Sequence, residues 1–327
     1  MRLPNPPQPH LLLAVFDVRT ERPAALLAEL GTLVAAVTAG PCAELAGLAP
    51  GDLTCTVGVG PRLVAGVDPR LPGALELPEY RREAVEPAAR GGDLMVQVCA
   101  SDPLLPVLVL SALSAVAGPR LVPRWRQEAV RGPLVRFGPA VTASRNMLGF
   151  ADGIVVPRTA EEFGHAVWLR EPRPVAAGTI AVVRRMRLDL PRFLALPPAS
   201  QESVFGRTRD ASAPLSGGAP GADVDLGAKS ADGRYLVPVD SHVRRAHPSA
   251  AGVPTMARRS YSITEPEPGL LFISFQNALR TFTATMARMD GADALLEFTT
   301  TTASATFLVL PGFDVGHPLG STLFGLP

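Results

Sequence analysis

The chain has 327 residues, of which 47% are hydrophobic and 19% are charged. This much apolar material excludes a disordered protein and predicts a large core. The 31 basic residues balance the 30 acidic ones to a net charge of +1, which argues against a nucleic-acid partner. No apolar run approaches the ~20 residues that a membrane span requires, so we expect no membrane partner.

The first part of the chain alternates strands with helices. Residues 10–18 form an apolar run that ends in charge, which is typical of a buried strand. Leucines and valines recur at helical spacing in residues 20–37, with Pro23 near the start. The predicted order is strand, helix, strand, strand, helix and closing strand, at residues 10–18, 20–37, 53–60, 94–101, 103–117 and 134–137. This order is that of a ferredoxin-like unit.

The second part of the chain repeats this order less regularly. Its predicted elements are a strand, a short helix, a strand, a helix and a strand, at residues 179–188, 189–196, 270–276, 279–289 and 303–310. Residues 201–253 form a long excursion rich in Gly, Pro, Ser and charge, and such loops are usually functional. We therefore predict an α+β fold of two ferredoxin-like halves with antiparallel sheets, divided as residues 1–145 and 146–327.

The cysteines and the amino-terminal residues bear on the cellular compartment. Cys42, Cys55 and Cys99 form no CxxC pair, and we interpret them as buried free thiols in a reducing compartment. The first residues lack the charged, apolar and cleavage-site regions of a secretory signal. We therefore expect a cytoplasmic protein.

Five histidines are available as metal ligands. His10 opens a strand, and His165 and His317 lie beside glycines, so we interpret these three as structural or surface residues. His242 lies near the end of the long excursion, where a neutral imidazole can bind a haem iron and leave the opposite face of the iron open. Taken alone, this segment is better explained by a histidine that is hydrogen-bonded to the backbone of its loop.

Two further segments carry polar residues that can be interpreted either as ordinary turn or surface residues or as part of a functional site. Residues 149–153 read Gly-Phe-Ala-Asp-Gly and place Asp152 beside a glycine. Alone, an Asp-Gly pair indicates a turn, but the same loop can project a carboxylate into a pocket. Arg258 and Arg259 precede a strand, where an arginine pair is usually solvated but can also supply a fixed cation.

Together these segments resemble the dye-decolourising peroxidase family. The family's GxxDG motif matches residues 149–153, and its Asp/Ala-x-His-Ile/Val-Arg pattern matches residues 240–244. An Arg-Arg-x-Tyr pattern follows at residues 258–261. Further similar stretches lie at residues 53–61, 91–98, 201–207 and 269–276. The resemblance runs in order over nearly the whole chain, and it implies the same pair of ferredoxin-like halves.

The resemblance implies a haem site in the carboxy-terminal half, with His242 as the ligand to the iron of haem b. The second ring nitrogen of such a histidine donates to an acceptor, for which Glu297, before Phe298, is the candidate. A solvent-exposed Glu297 is the alternative. Arg244 is expected to pair with a haem propionate, and Arg207 is a second candidate for the same contact.

The resemblance places Asp152 and Arg258 on the face of the haem where peroxide would bind. Asp152 would carry a proton between the two peroxide oxygens, and Arg258 would stabilise the negative charge. The implied product is a ferryl haem. Gly153 is placed with the residues that bind the cofactor, and Leu270 and Phe272 are expected to wall the pocket.

The chain departs from the family pattern at two positions. Val156 and His247 each precede a proline where relatives often have Asn-Pro, and both missing asparagines are expected to hold loops. His247 therefore competes with His242 as a ligand, although the family pattern favours His242. For bulky donors that react at the surface, Tyr261 is the first candidate relay, with a structural tyrosine as the alternative.

The leading interpretation is a peroxidase that uses hydrogen peroxide to oxidise aromatic, phenolic or dye-like donors. The alternative is a haem-binding or iron-releasing, deferrochelatase-like protein with little dye turnover. A non-haem binder on the same scaffold is a third hypothesis, but it leaves His242, Asp152 and Arg258 unexplained. The expected partners are hydrogen peroxide and small aromatic reductants, and a homo-oligomer is compatible with the sequence.

Overall fold

The structure of the chain is a computed structural model that describes residues 7–137 and 141–325. In chain order its strands are β1 (His10–Val18), β2 (Thr54–Val59), β3 (Leu94–Ala100), β4 (Leu121–Val130), β5 (Leu134–Arg136), β6 (Thr142–Ser144), β7 (Thr179–Leu188), β8 (Ala257–Arg258), β9 (Tyr261–Ile263), β10 (Gly269–Gln276) and β11 (Thr299–Val309). Its α-helices are α1 (Pro23–Ala39), α2 (Pro61–Val67), α3 (Leu104–Ala117), α4 (Ala160–Ala166), α5 (Leu190–Leu194), α6 (Pro198–Phe205), α7 (His242–Arg245), α8 (Pro248–Ala251), α9 (Leu279–Ala292) and α10 (Ser321–Phe324).

The amino-terminal strands form an antiparallel sheet in the order β2-β3-β1-β4. β1 has the predicted bounds, and its apolar residues are buried on both faces of the sheet. Helices α1 and α3 cover the outer face, where Leu30 and Leu113 are buried. α1 begins at Pro23, later than predicted, because proline suits the first turn of a helix.

The predicted closing strand at residues 134–137 is wrong. The fourth strand of this sheet is β4, which pairs with β1, whereas β5 pairs with β6 in a separate two-stranded ribbon. Buried and exposed residues alternate along β4, and its exposed side carries Arg126 and Glu128. A strand with one polar face lacks the continuous apolar run that identified β1, so its position depends on pairing with β1.

The carboxy-terminal strands repeat the arrangement in the order β11-β7-β10-β9, again antiparallel. When β8 and β9, which both pair with β10, are counted as one interrupted strand, both sheets have the strand order fourth, first, third, second. This is the order of a ferredoxin-like unit. The predicted α+β fold of two such halves is therefore confirmed, while its division at residue 145 stays a prediction. β7 has the predicted bounds, and β11 begins at Thr299, earlier than predicted.

The two sheets close on each other, because β11 pairs with β2 and β4 pairs with β9. With β7 also paired to β10, the four strands of each half form one closed barrel. Leu13, Leu271 and Phe307 are buried in its interior. Because side chains alternate along a strand, Leu270 and Phe272 of β10 point to the outer face, where the candidate site lies.

Within the described ranges, no helix combines the length and apolar character needed to cross a membrane.

Candidate functional site

A cavity of about 210 Å³ lies on the outer face of the carboxy-terminal sheet, and we call it the large cavity. Phe272 of β10 lies opposite Arg184 of β7, and Met186 of β7 lies opposite both Leu270 and Thr301. All five side chains therefore share one face of the sheet and line the cavity. The opposite wall comes from α6, α7 and α9 and from the start of the turn after α9. Apolar side chains dominate both walls.

His242 begins α7 and faces the large cavity. Its Nδ1 lies 2.8 Å from Oδ2 of Asp293, whose side chain is fully buried. The other oxygen of Asp293 accepts a hydrogen bond from the amide of Leu295 at 2.9 Å, which fixes the carboxylate. An ionised carboxylate accepts only, so Nδ1 carries a hydrogen, and in the neutral imidazole the lone pair is then on Nε2. Phe205 packs edge-on against the imidazole, with ring centroids 6.0 Å apart.

His247 also lines the large cavity, but both of its ring nitrogens have partners. Nδ1 lies 2.7 Å from the Ser249 hydroxyl, and Nε2 lies 3.0 Å from the Asp223 carboxylate. Burial acts to raise the pKa of Asp223, but the hydrogen bonds from His247 and a backbone amide outweigh it, and the net pKa is lowered. Of the two histidines in the described cavity lining, His242 is the better placed to bind a ligand.

The prediction that Glu297 accepts the hydrogen bond of His242 is wrong. Glu297 is half exposed, and its carboxylate pairs with the guanidinium groups of Arg82 and Arg192. Asp293 makes the contact with His242 instead, because α9 ends there and turns its carboxylate inward. The sequence held no local signal for this contact, because Asp293 and His242 lie 51 residues apart along the chain.

Asp152 lies in a loop between Gly149 and Gly153, both of which have a left-handed backbone, with φ of 88° and 83°. The Asp152 amide donates to the Ser144 carbonyl at 2.9 Å, and the side chain lines the large cavity. Arg258 lines the same cavity from β8 and donates to the Val155 carbonyl at 3.3 Å. The structure thus brings the two predicted peroxide-side residues to one cavity.

The ion pair of Asp152 involves a residue that the sequence did not suggest. Nη1 of Arg131, at the end of β4, lies 3.8 Å from Oδ2 of Asp152. Arg131 belongs to the amino-terminal half and lies in no motif of the family pattern. No local pattern could have identified it, because the barrel closure alone brings β4 beside residues 149–153.

The two predicted propionate partners differ. Arg207 is buried, lines the large cavity, and donates to the Ser212 carbonyl at 3.0 Å. Burial lowers the pKa of Arg207, and nearby Asp223 opposes this effect. Arg244 lies outside the cavity lining, where it donates to the Val237 carbonyl at 2.8 Å and stacks over Tyr235. The structure therefore does not bring Arg244 to the described lining of the cavity, and Arg207 is the predicted propionate partner that a carboxylate in the cavity can reach.

The remaining predicted pocket residues, Gly153, Leu270 and Phe272, all line the large cavity. The structure adds Arg184, which is buried and pairs with Glu83 at 2.7 Å. Burial lowers the pKa of Arg184, and the Glu83 carboxylate opposes this effect. Because Glu83 belongs to the amino-terminal half, this ion pair ties that half to the cavity wall.

Tyr261, the first candidate for a surface relay, is only 2% exposed. Its hydroxyl donates to the Cys99 sulfur at 3.8 Å, and burial raises its pKa. A bulky donor at the surface cannot contact this ring, so the structural alternative describes Tyr261 better.

Two family models match the chain. The one described as Dyp-type peroxidase, N-terminal, matches residues 4–130, and the one described as Dyp-type peroxidase, C-terminal, matches residues 143–314. A dye-decolorizing peroxidase of Thermobifida fusca (strain YX) is 32% identical over 306 residues, covering 86% of this chain and 69% of the relative. A deferrochelatase of Escherichia coli O6:K15:H31 (strain 536 / UPEC) is 28% identical over 296 residues, covering 84% and 70%.

Solved structures share the whole architecture. DtpA from Streptomyces lividans, in an X-ray generated oxyferrous complex, has a TM-score of 0.88 at 30% identity, covering 98% of this chain and 94% of that chain. A DyP-type peroxidase from Cellulomonas bogoriensis has a TM-score of 0.86 at 30% identity, with the same coverage. These likenesses extend over both halves of the barrel.

Proposed function

The chain belongs to the Dyp-type peroxidase family and is a haem peroxidase, and we propose that its large cavity is where hydrogen peroxide is used to oxidise aromatic, phenolic or dye-like donors. One observation supports this assignment above the others. His242 has its Nδ1 tied to a buried carboxylate, which leaves Nε2 as a lone-pair donor on the cavity side. That is how a protein orients an imidazole that binds a metal and keeps it basic.

The residues of the large cavity fit haem b. Met286, Leu296 and Phe272 offer apolar contacts to a porphyrin ring, and the buried guanidinium of Arg207 offers a partner for a carboxylate at its edge. The sequence has no Cys-x-x-Cys-His motif for covalent attachment. A non-covalent haem held by His242 and Arg207 satisfies the free imidazole nitrogen and the buried cation together.

When bound, haem would supply the iron at which the peroxide O–O bond breaks and which then takes electrons from the donors. The protein supplies the proton chemistry. The Asp152 carboxylate takes the proton from one peroxide oxygen and returns it to the other, which is general base and then general acid catalysis. The Arg258 guanidinium remains charged and stabilises the negative charge that develops as the bond breaks.

An optical spectrum of the haem-reconstituted protein tests this proposal. We expect an intense Soret band, and we expect this band to change when one equivalent of peroxide oxidises the haem. His242→Ala should abolish the protein-specific band, and His247→Ala, the matched control, should keep it. The reverse result would assign the ligand to His247, and the absence of a Soret band in the unchanged protein would refute the proposal.

The proton role of Asp152 is tested separately with Asp152→Asn, which keeps the shape of the side chain. We expect unchanged haem binding and a reaction with peroxide that is slower by about 10²–10⁴-fold, the range for loss of a general acid–base group. Stopped-flow absorption measures this rate. An unchanged rate would transfer the proton role to another group.

Iron release is a second candidate function, because a relative 28% identical over 84% of the chain is named deferrochelatase. Two measurements on the haem-loaded protein separate the candidates. Dye oxidation with peroxide supports the peroxidase, whereas iron-free porphyrin, detected by its fluorescence, supports iron release. Because Asp152 and Arg258 both line the large cavity, we expect dye oxidation.

A cytoplasmic location stays a prediction, and a homo-oligomer is compatible with the sequence. Fractionation of the source cells tests the first, and analytical ultracentrifugation of the purified protein tests the second.

A further inference from the structure

Arg131 extends from the amino-terminal half of the barrel into the site of the carboxy-terminal half. Its side chain is nine-tenths buried, and its backbone amide donates to the Pro9 carbonyl at 2.8 Å. A buried cation is retained where it has a partner of opposite charge. The carboxylate within 4 Å of Arg131 in the described residues is that of Asp152.

Contacts other than the one with Asp152 also hold the Arg131 guanidinium in place. Its Nη1 donates to the Ser260 carbonyl at 2.8 Å, and the group lies 6.0 Å from the centroid of the Tyr261 ring. On the other side, its Nη2 lies 3.7 Å from the position that a Cβ on Gly153 would occupy. The Arg131 side chain therefore lies beside residues 152 and 153 and is hydrogen-bonded to Ser260, two residues after Arg258.

Asp152 is one of four residues that line two neighbouring cavities. A small polar pocket lies behind it, bounded by Arg131, Ser144 and Tyr261, and Asp152 also lines the large cavity. In the described lining of both cavities, Asp152 is the one carboxylate. The basic side chains that share these linings with it are Arg131 and Arg145 in the small pocket and, in the large cavity, Arg184, Arg207, His242, His247 and Arg258.

The separation between Arg131 and Asp152 matters for proton transfer. At 3.8 Å the two charges attract strongly, but the distance is too long for a hydrogen bond. The carboxylate is thus drawn toward Arg131 without using the oxygen lone pairs that must accept a peroxide proton. A direct hydrogen bond would occupy one of these acceptor sites.

We infer that Arg131 is a positioning residue for the Asp152 carboxylate, pairing with it and holding it at the boundary between the two cavities. The inference rests on the proposed function for its effect on peroxide, but the pairing itself can be tested without haem. It also gives the amino-terminal half a part in the chemistry, because β4 ends where this cation is needed.

The direct test is carbon NMR of the haem-free protein with labelled aspartate, in which Asp152→Asn assigns the Asp152 carboxyl signal. In Arg131→Gln we expect the midpoint of its titration to move upward by about half a pH unit or more, since losing a nearby cation disfavours the ionised form. Arg131→Lys should restore most of the shift. Arg126→Gln, at an exposed arginine on β4, the strand that precedes Arg131, should leave the midpoint unchanged.

The haem-loaded protein provides the second readout. Arg131→Gln should lower the rate constant for reaction with peroxide by roughly 10–100-fold, with haem content and the KM for the donor unchanged. The acid limb of the pH profile should move to higher pH. Arg131→Lys should recover most of the rate, and Arg126→Gln should react normally.

The outcomes separate this inference from the proposed function. An unmoved NMR midpoint in Arg131→Gln would overturn the inference, as would a failure of Arg131→Lys to restore it. A moved midpoint in a protein that shows no reaction with peroxide would instead support the pairing and refute the peroxidase proposal.

Discussion

The two halves of the barrel share one strand order but differ in what covers their outer faces. In the amino-terminal half, α1 and α3 place closely packed leucine and valine side chains, such as Leu30 and Leu113, on the sheet. In the carboxy-terminal half, α9 buries Thr281 and Thr285 beside Phe282 and Met286, and a cavity remains. The same scaffold is thus solid where leucine-rich helices cover it and hollow where a long excursion replaces one of them.

The buried carboxylates show the same contrast. Asp93 in the amino-terminal half accepts hydrogen bonds from the Val18 amide and from Arg62, all within the fold. Asp293 in the carboxy-terminal half directs an oxygen at His242, which faces the cavity. A buried charge therefore holds structure in one half and orients a ligand in the other.

The largest expected effect on folding comes from creating a cavity in the solid half. Leu30→Ala should lower the free energy of unfolding by about 3 kcal/mol, because it removes a fully buried side chain from a close-packed site. Urea denaturation followed by circular dichroism measures the change. The matched control is Leu296→Ala in the cavity wall, where the side chain already borders empty space and the loss should be about 2 kcal/mol, the lower end of the range for buried leucines. Equal losses would contradict the difference between the halves.

A smaller effect is expected from the structural carboxylate. Asp93→Asn should lower the free energy of unfolding by about 2 kcal/mol at pH 7, because hydrogen bonds to a charged group are lost. The loss is no larger because Arg62 is largely exposed, which weakens its ion pair with Asp93. Burial acts to raise the pKa of Asp93, but the hydrogen bonds from Arg62 and Val18 outweigh it, and the net pKa is lowered. This contribution is therefore complete above the unfolded value of about 3.9.

The same Asp93 contribution should be lost as the pH falls through the lowered pKa of the folded state. The free energies of unfolding of the unchanged protein and of Asp93→Asn should differ at pH 7 and approach each other in acid. A difference that stays constant with pH would show that the carboxylate charge has no part in it.

The smallest of these effects concerns the carboxylate that serves the cavity. Asp293→Asn should weaken haem binding at least tenfold, about 1.4 kcal/mol, because the amide is a poorer acceptor for the His242 N–H. Haem titration followed by absorption measures the affinity. Glu297→Gln, four residues further along the chain at a half-exposed position, should bind haem normally. Weaker binding in Glu297→Gln alone would restore the sequence-based assignment.

Local sequence determined much of the fold. β1 and β7 have the predicted bounds because an uninterrupted apolar run is a property of neighbouring residues. The alternating, partly polar β4 was missed, since its pairing partner β1 lies more than a hundred residues away along the chain. Periodicity reports burial on a face, and it does not report which strand lies beside it.

The candidate site divides in the same way. Family motifs in the sequence named His242, Asp152 and Arg258, and the structure places all three on one cavity. Tertiary structure alone decided that Asp293 rather than Glu297 contacts His242, that Arg207 rather than Arg244 reaches the cavity, and that Arg131 pairs with Asp152. Motifs record residues that act at a site, whereas their supporting contacts join distant segments through barrel closure and side-chain packing, which sequence spacing does not encode.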